Sequence, residues 1–102
     1  MQRACILSTG SFLPEKIISN EDLSQFSHEA RNLIVEKTGV QARRHADETE
    51  CTSDLAIAAA RKCLQKVGFP PENLQGIVLS TSSPDRLQPA TATRVQHELG
   101  AR

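Results

Sequence analysis

Residues 52–69 read TSDLAIAAARKCLQKVGF, and residues 75–82 read QGIVLSTS. In the first stretch Leu55, Ala56, Ala59, Ala60, Cys63, Leu64 and Val67 fall on one stripe at helical spacing. Thr52 is placed to cap a helix, and Asp54 lies in its first turn, where negative charge suits the positive end of the helix dipole. Gly68 supplies the stop, and Pro70-Pro71 bars continuation. The alanines leave one face thin, so the helix can lie close to a sheet or another helix, with Cys63 as a small core residue. In the second stretch Ile77, Val78 and Leu79 are consecutive and apolar, the pattern of a strand covered on both faces, as in a parallel sheet. A last helix is predicted with Pro89 at its first position, Ala92, Val95 and Leu99 facing inward, and Gly100 as its end. Helix, strand and helix in this order predict an α/β fold with a parallel sheet.

Upstream, RACILSTGSF (residues 3–12) reads as a first strand with a bend at Gly10, and Pro14 marks a loop. Asn20 is a good N-cap for a short helix over SNEDLSQF, with Leu23 and Phe26 inward. SHEARNLIVEKTG reads as a further helix, capped by Ser27 and stopped by Gly39, with Ala30, Leu33, Ile34 and the stem of Lys37 on its apolar stripe. Residues 40–51, VQARRHADETEC, have no clear period and read as a charged surface segment.

The totals set limits. A chain of 102 residues is one domain at most. Two predicted strands are too few for a finished sheet, so residues 1–102 are expected to form the opening part of a larger domain. Twelve basic residues balance twelve acidic ones, and three Phe are the only aromatics. Neither a charge field nor stacking platforms point to nucleic acid or an anionic membrane. Cys5, Cys51 and Cys63 are odd in number and form no CxxC pair, which suggests free thiols in a reducing cytoplasm. His28, His45 and His97 have no ligand spacing with them, so no metal site is expected. No run of residues is apolar and long enough to span a membrane.

Spacing alone names no active site. GxGxxG, the P-loop, GxSxG and HExxH are all absent. His97, beside Glu98 on the last predicted helix, reads as a solvated residue. Ser80 to Ser83 follow a predicted strand, where ligands collect in open α/β sheets, although turn chemistry alone also accounts for a Ser-rich loop.

Four stretches add a specific pointer. GSFLPEKIISNEDL, IVEKTGVQARR, TSDLAIAAARKCL and LSTSSPDRLQPATATRVQHELGA occur in an order and spacing that resemble the N-terminal part of the β-ketoacyl-acyl-carrier-protein synthase III family. The resemblance spans essentially the whole chain. It implies the N-terminal portion of a thiolase-like fold, layered α-β-α-β-α and incomplete here, in a cytoplasmic homodimer. It implies an acyltransferase that condenses an acyl-CoA primer with malonyl-acyl-carrier-protein in fatty-acid initiation, with acyl-CoA a substrate and no separate cofactor. The family nucleophile, a Cys at the head of a buried helix, is expected beyond residue 102. Cys5, Cys51 and Cys63 do not match it, so no catalytic residue is assigned and the isolated chain is expected to be inactive.

Within the chain, the resemblance implies that Leu33, Lys37 and Thr38 occupy the CoA-binding positions. The family has Trp and Arg where Leu33 and Lys37 stand, and Thr38 alone is identical. Leu33 cannot stack as Trp does, and Lys37 keeps the charge without the planar fork. Core packing for Leu33 and a helix end for Thr38 are the competing readings of these two residues. Gln88 stands where the family often has an apolar residue reaching across the dimer into the partner's acyl pocket. A polar residue there suits a shorter or more polar acyl group, a divergent branch, or simply the approach to a helix. Two alternatives remain open on the sequence: a non-catalytic α/β interaction module, and a secondary-metabolite branch of the same family.

Overall fold

The computed structural model describes residues 3–102. The chain divides into two compact units. One is continuous, Leu13–Thr49; the other joins the described residues through Phe12 to Glu50–Arg102.

In the continuous unit, β1 (Ile17–Ser19) pairs antiparallel with β2 (Ala42–Arg44), Ile17 opposite Arg44, Ile18 opposite Arg43 and Ser19 opposite Ala42. Between them lies α1 (His28–Thr38). Its start is set by Ser27, whose hydroxyl accepts from the Ala30 N–H at 3.2 Å. Its end is set by Gly39 at φ 72°, whose N–H donates to the Val35 carbonyl at 2.8 Å. The two ends of this helix follow the sequence reading. The stripe holds only in part: Ala30 and Ile34 are half-buried, but Leu33 is 51% exposed.

Three expectations for this unit are corrected. Residues 20–26 form turns, not a helix. Asn20 does not act as a cap, because its side chain is used across the unit: it donates to the Val40 carbonyl at 2.8 Å and accepts from Arg43 Nη2 at 2.5 Å. The charged segment at residues 40–51 is not all loop, since β2 occupies Ala42–Arg44.

The other unit is built on α2 (Thr52–Val67) and α3 (Thr91–Leu99), which pack together. Ile57 from α2 and Val95 from α3 are its buried apolar residues, each worth about 1.5–3 kcal/mol of burial. The α2 N-cap is Cys51, one residue before the expected Thr52, and the Asp54 carboxylate turns back to accept from the Cys51 N–H at 2.8 Å. Ile57, left out of the predicted stripe, is the most buried apolar residue of this helix. Gly68 at φ 62° and Gly100 at φ 76° end α2 and α3 as expected.

A 3-10 turn, Pro71–Asn73, follows α2. The α3 N-cap is Ala90, so Pro89 stands before the helix and not at its first position. The strands expected over residues 3–12 and 75–82 form no ladder, and the ladder among the described residues is antiparallel. A strand requires a partner as well as an apolar pattern, and neither run pairs. Ile6 (85% exposed) and Val78 (98%) accordingly stand in the open. The thin face of α2 does admit a close neighbour, but it is a segment outside any ladder and not a sheet or helix: the Gly10 backbone lies directly against Ala59 and Cys63, and Cys63 is half-buried.

Candidate functional site

The C-terminal half of α1 brings Leu33 and Lys37 together, four residues apart and therefore on one face of the helix. Both are exposed. Lys37 Nζ lies 3.5 Å from Glu36 Oε1, and its charge also suits the negative end of the helix dipole. Thr38 differs from them. Its hydroxyl donates to the Ile34 carbonyl at 2.6 Å and accepts from the Val40 N–H at 3.1 Å, so it joins the helix to the chain that leaves it. An apolar side chain beside a flexible cation can serve an anionic ligand with a flat or apolar part.

The second feature lies at the N-terminal ends of α2 and α3, where a cleft of about 530 Å³ is lined by Cys51, Asp85, Arg86, Pro89 and Arg94 among others. The chain approaches it through the Ser-rich run. Thr52 Oγ1 donates to the Ser83 carbonyl at 2.5 Å, and the Ser83 N–H donates to Thr81 Oγ1 at 3.0 Å. Thr52, Thr81 and Ser83 are therefore engaged in turn and anchoring bonds. Gln88 lies in the loop that follows, exposed, and its peptide bond to Pro89 is cis.

Below this loop is a polar network that residue spacing did not reveal. Ser53 is fully buried. Its N–H donates to Asp85 Oδ1 at 2.9 Å, and its hydroxyl accepts from Arg94 Nη1 at 2.6 Å. Arg94 also reaches Asp85 Oδ2 at 3.3 Å and Asp54 Oδ1 at 2.9 Å. The Asp85 carboxyl titrates below its ordinary value, chiefly through hydrogen bonding from Ser53, with desolvation opposing and Arg94 adding to the effect. The Arg94 guanidinium is shifted up, first by its hydrogen bond to Asp85. The sequence signal was an Asp and an Arg nine residues apart on either side of a loop, which has no periodicity to single it out.

His97 is exposed. Cys5, Cys51 and Cys63 are free thiols, with Cys5 and Cys51 exposed. Among the described residues no group of His, Cys, Asp and Glu is arranged to hold a metal ion, and no helix is long and apolar enough to cross a membrane.

No protein-family profile matches the chain. Individual proteins do. An acetoacetyl-CoA synthase of a Streptomyces species is 46% identical over 96 residues, covering 94% of this chain and 29% of that protein. A β-ketoacyl-acyl-carrier-protein synthase III of Rhodospirillum centenum is 46% identical over 98 residues, covering 96% of this chain and 30% of that protein. The crystal structure of a β-ketoacyl-acyl-carrier-protein synthase III from Thermus thermophilus superimposes with a TM-score of 0.82 at 34% identity, covering 97% of this chain and 32% of that one. The chain is thus homologous over nearly all its residues to synthase III proteins, and its fold is part of the thiolase-type α/β architecture. It spans about 30% of the length of the curated relatives it matches.

Proposed function

We propose that these residues form the part of a β-ketoacyl-acyl-carrier-protein synthase III-type condensing enzyme that receives the acyl-CoA primer. The supporting observation is homology along almost the entire chain, 46% identity over 98 residues, to a protein carrying that name. The reaction has two stages. A Cys thiolate attacks the acyl-CoA thioester and releases CoA. Malonyl-acyl-carrier-protein then loses CO2, and the resulting carbanion attacks the acyl-enzyme carbonyl and expels the thiolate. We assign the nucleophile to none of Cys5, Cys51 and Cys63, and place it outside these 102 residues.

In this reading Lys37 meets a phosphate of CoA as a point charge, and Leu33 lies under the nucleotide where a stacking residue would serve better. Thr38 shapes the helix end beneath them. Gln88 contributes to the acyl pocket of a homodimer partner, and its amide favours a short or polar acyl group. The enzyme works in the cytoplasm with a soluble acyl carrier protein.

A second reading concerns the acceptor. A relative of equal identity is named for making acetoacetyl-CoA, so malonyl-CoA stands beside malonyl-acyl-carrier-protein as a candidate extender. The test is a condensation assay of the whole enzyme with labelled acetyl-CoA and each malonyl donor. Labelled acetoacetyl product on the carrier protein supports the first reading, and product on CoA alone supports the second. Absence of condensation with either donor would leave a non-catalytic α/β module as the better description.

A further inference from the structure

We propose that Asp85 and Arg94 are positioning residues that set acyl-chain selectivity by fixing the loop that carries Gln88. The inference rests on the acyl-pocket reading of Gln88 given above. Its structural basis is the contrast between the feet of the loop and its tip.

At the feet every polar group named here is engaged. Asp85 binds the Ser53 N–H and Arg94 through its two carboxylate oxygens, and its own N–H donates to Thr91 Oγ1 at 3.1 Å. Ser53 and Thr91 are buried. Ser53 and Asp54 belong to the first turn of a 16-residue helix, so the loop is referenced to a rigid element. At the tip, Arg86, Leu87, Gln88 and Pro89 are all exposed, Leu87 by 94%. Within this chain no packing holds the tip, so the bonds at Asp85 and Thr91 are what tie Gln88 to α2 and α3 before any partner closes on it.

Arg94 is suited to this role because one guanidinium reaches Ser53, Asp54 and Asp85 at once. A lysine supplies the charge without that geometry. The energy of a half-exposed pair is small, but selectivity depends on position, and a displacement of about 1 Å in a group that shapes a pocket changes rates severalfold or more.

The experiment measures kcat/KM of the whole enzyme for acetyl-CoA and for hexanoyl-CoA, and reads their ratio. General loss of folded enzyme lowers both values alike and leaves the ratio unchanged. Asp85→Asn and Arg94→Lys are expected to move the ratio at least threefold toward unity. Gln88→Leu is expected to shift it toward the longer chain. Thr91→Val, which removes only the acceptor for the Asp85 N–H, serves if Asp85→Asn does not fold, and is expected to act in the same direction. If Gln88→Leu changes the ratio while Asp85→Asn, Arg94→Lys and Thr91→Val leave it at the wild-type value, the positioning role is overturned and the reading of Gln88 stands. If Gln88→Leu leaves the ratio unchanged, the pocket reading fails and the inference with it. If the unmodified enzyme condenses nothing, the proposed function has failed at an earlier step.

Discussion

Gly10 and Cys63 touch backbone to backbone: a Cβ built on Gly10 would stand 2.6 Å from the Cys63 nitrogen and 2.5 Å from the Ala59 carbonyl oxygen. No side-chain rotation can relieve a contact made with helix backbone. Gly10→Ala must therefore push residues 8–12 away from α2, at a cost of about 1–3 kcal/mol by the usual range for overpacking. Gly76 is the control, since nothing lies within 4 Å of its Cβ position. Gly76→Ala should be neutral, or stabilising by up to about 1 kcal/mol through the unfolded chain. Urea midpoints of the two variants check both expectations, and equal midpoints would refute the close-contact argument.

In the Leu13–Thr49 unit the corresponding constraint is polar. Asn20 is buried and holds both the Val40 carbonyl and the Arg43 guanidinium. Asn20→Ala leaves the carbonyl and the guanidinium without this partner, and should cost about 2 kcal/mol. Asn20→Asp keeps an acceptor for Arg43 and loses the donor to Val40, so it should fall between wild type and Ala. Hydrogen exchange at the Arg43 and His45 amides would register the loss locally, because these alternate residues face β1 in the ladder and His45 N–H donates to the Lys16 carbonyl at 2.9 Å.

These two contacts indicate what the sequence could and could not reveal. All three α-helices were legible because their signals are local: Ser27 and Gly39 bound α1, and Gly68 and Gly100 end α2 and α3. Pro89 misled by two residues. Its preference for a first helical turn was outweighed by tertiary anchoring, since the Asp85 N–H holds Thr91, and Ala90 takes the cap position. The strands were misread because pairing is non-local. The apolar run Ile77–Leu79 has strand composition and no ladder, whereas the three residues Ala42–Arg44 have a ladder and almost no strand composition. Leu33 and Lys37 were reached through family resemblance alone. The bonds among Ser53, Asp85 and Arg94 join residues up to 41 positions apart, and no periodicity reports them.

Acid should weaken the loop anchor. The folded-state pKa of Asp85 is depressed, so its contribution to stability is fully present above the unfolded-state value. It is lost as the pH falls through the lower, folded-state value. Asp85→Asn should therefore be less stable than wild type near neutrality, and the difference should close below the ordinary aspartate range. Urea midpoints of both proteins against pH provide the test. A gap that stayed constant into acid would mean that the carboxylate charge contributes nothing.

The last prediction concerns Lys37 in the whole enzyme. Its ammonium is exposed and lies 3.5 Å from the carboxylate of the neighbouring Glu36. Such a pair is weak, so the cation remains available to a phosphate at little cost. Lys37→Ala should raise the KM for acyl-CoA about fivefold, which corresponds to about 1 kcal/mol for an exposed charged contact. The effect should shrink at high salt as screening shortens the Debye length. Glu36 tests the same geometry from the opposite sign. Glu36→Gln removes a negative charge beside the phosphate position proposed for Lys37 and should lower the KM by a smaller factor, also in a salt-dependent way. Leu33→Trp offers the nucleotide a stacking surface on the same helical face and should tighten CoA in a direct titration. Thr38→Val should behave differently from all three: it breaks two local hydrogen bonds, so it should lower the Tm while leaving the KM nearly unchanged. If Lys37→Ala, Glu36→Gln and Leu33→Trp all leave CoA affinity at the wild-type value, this helix face does not bind the nucleotide, and a primer carried on a protein, not on free CoA, becomes the better account.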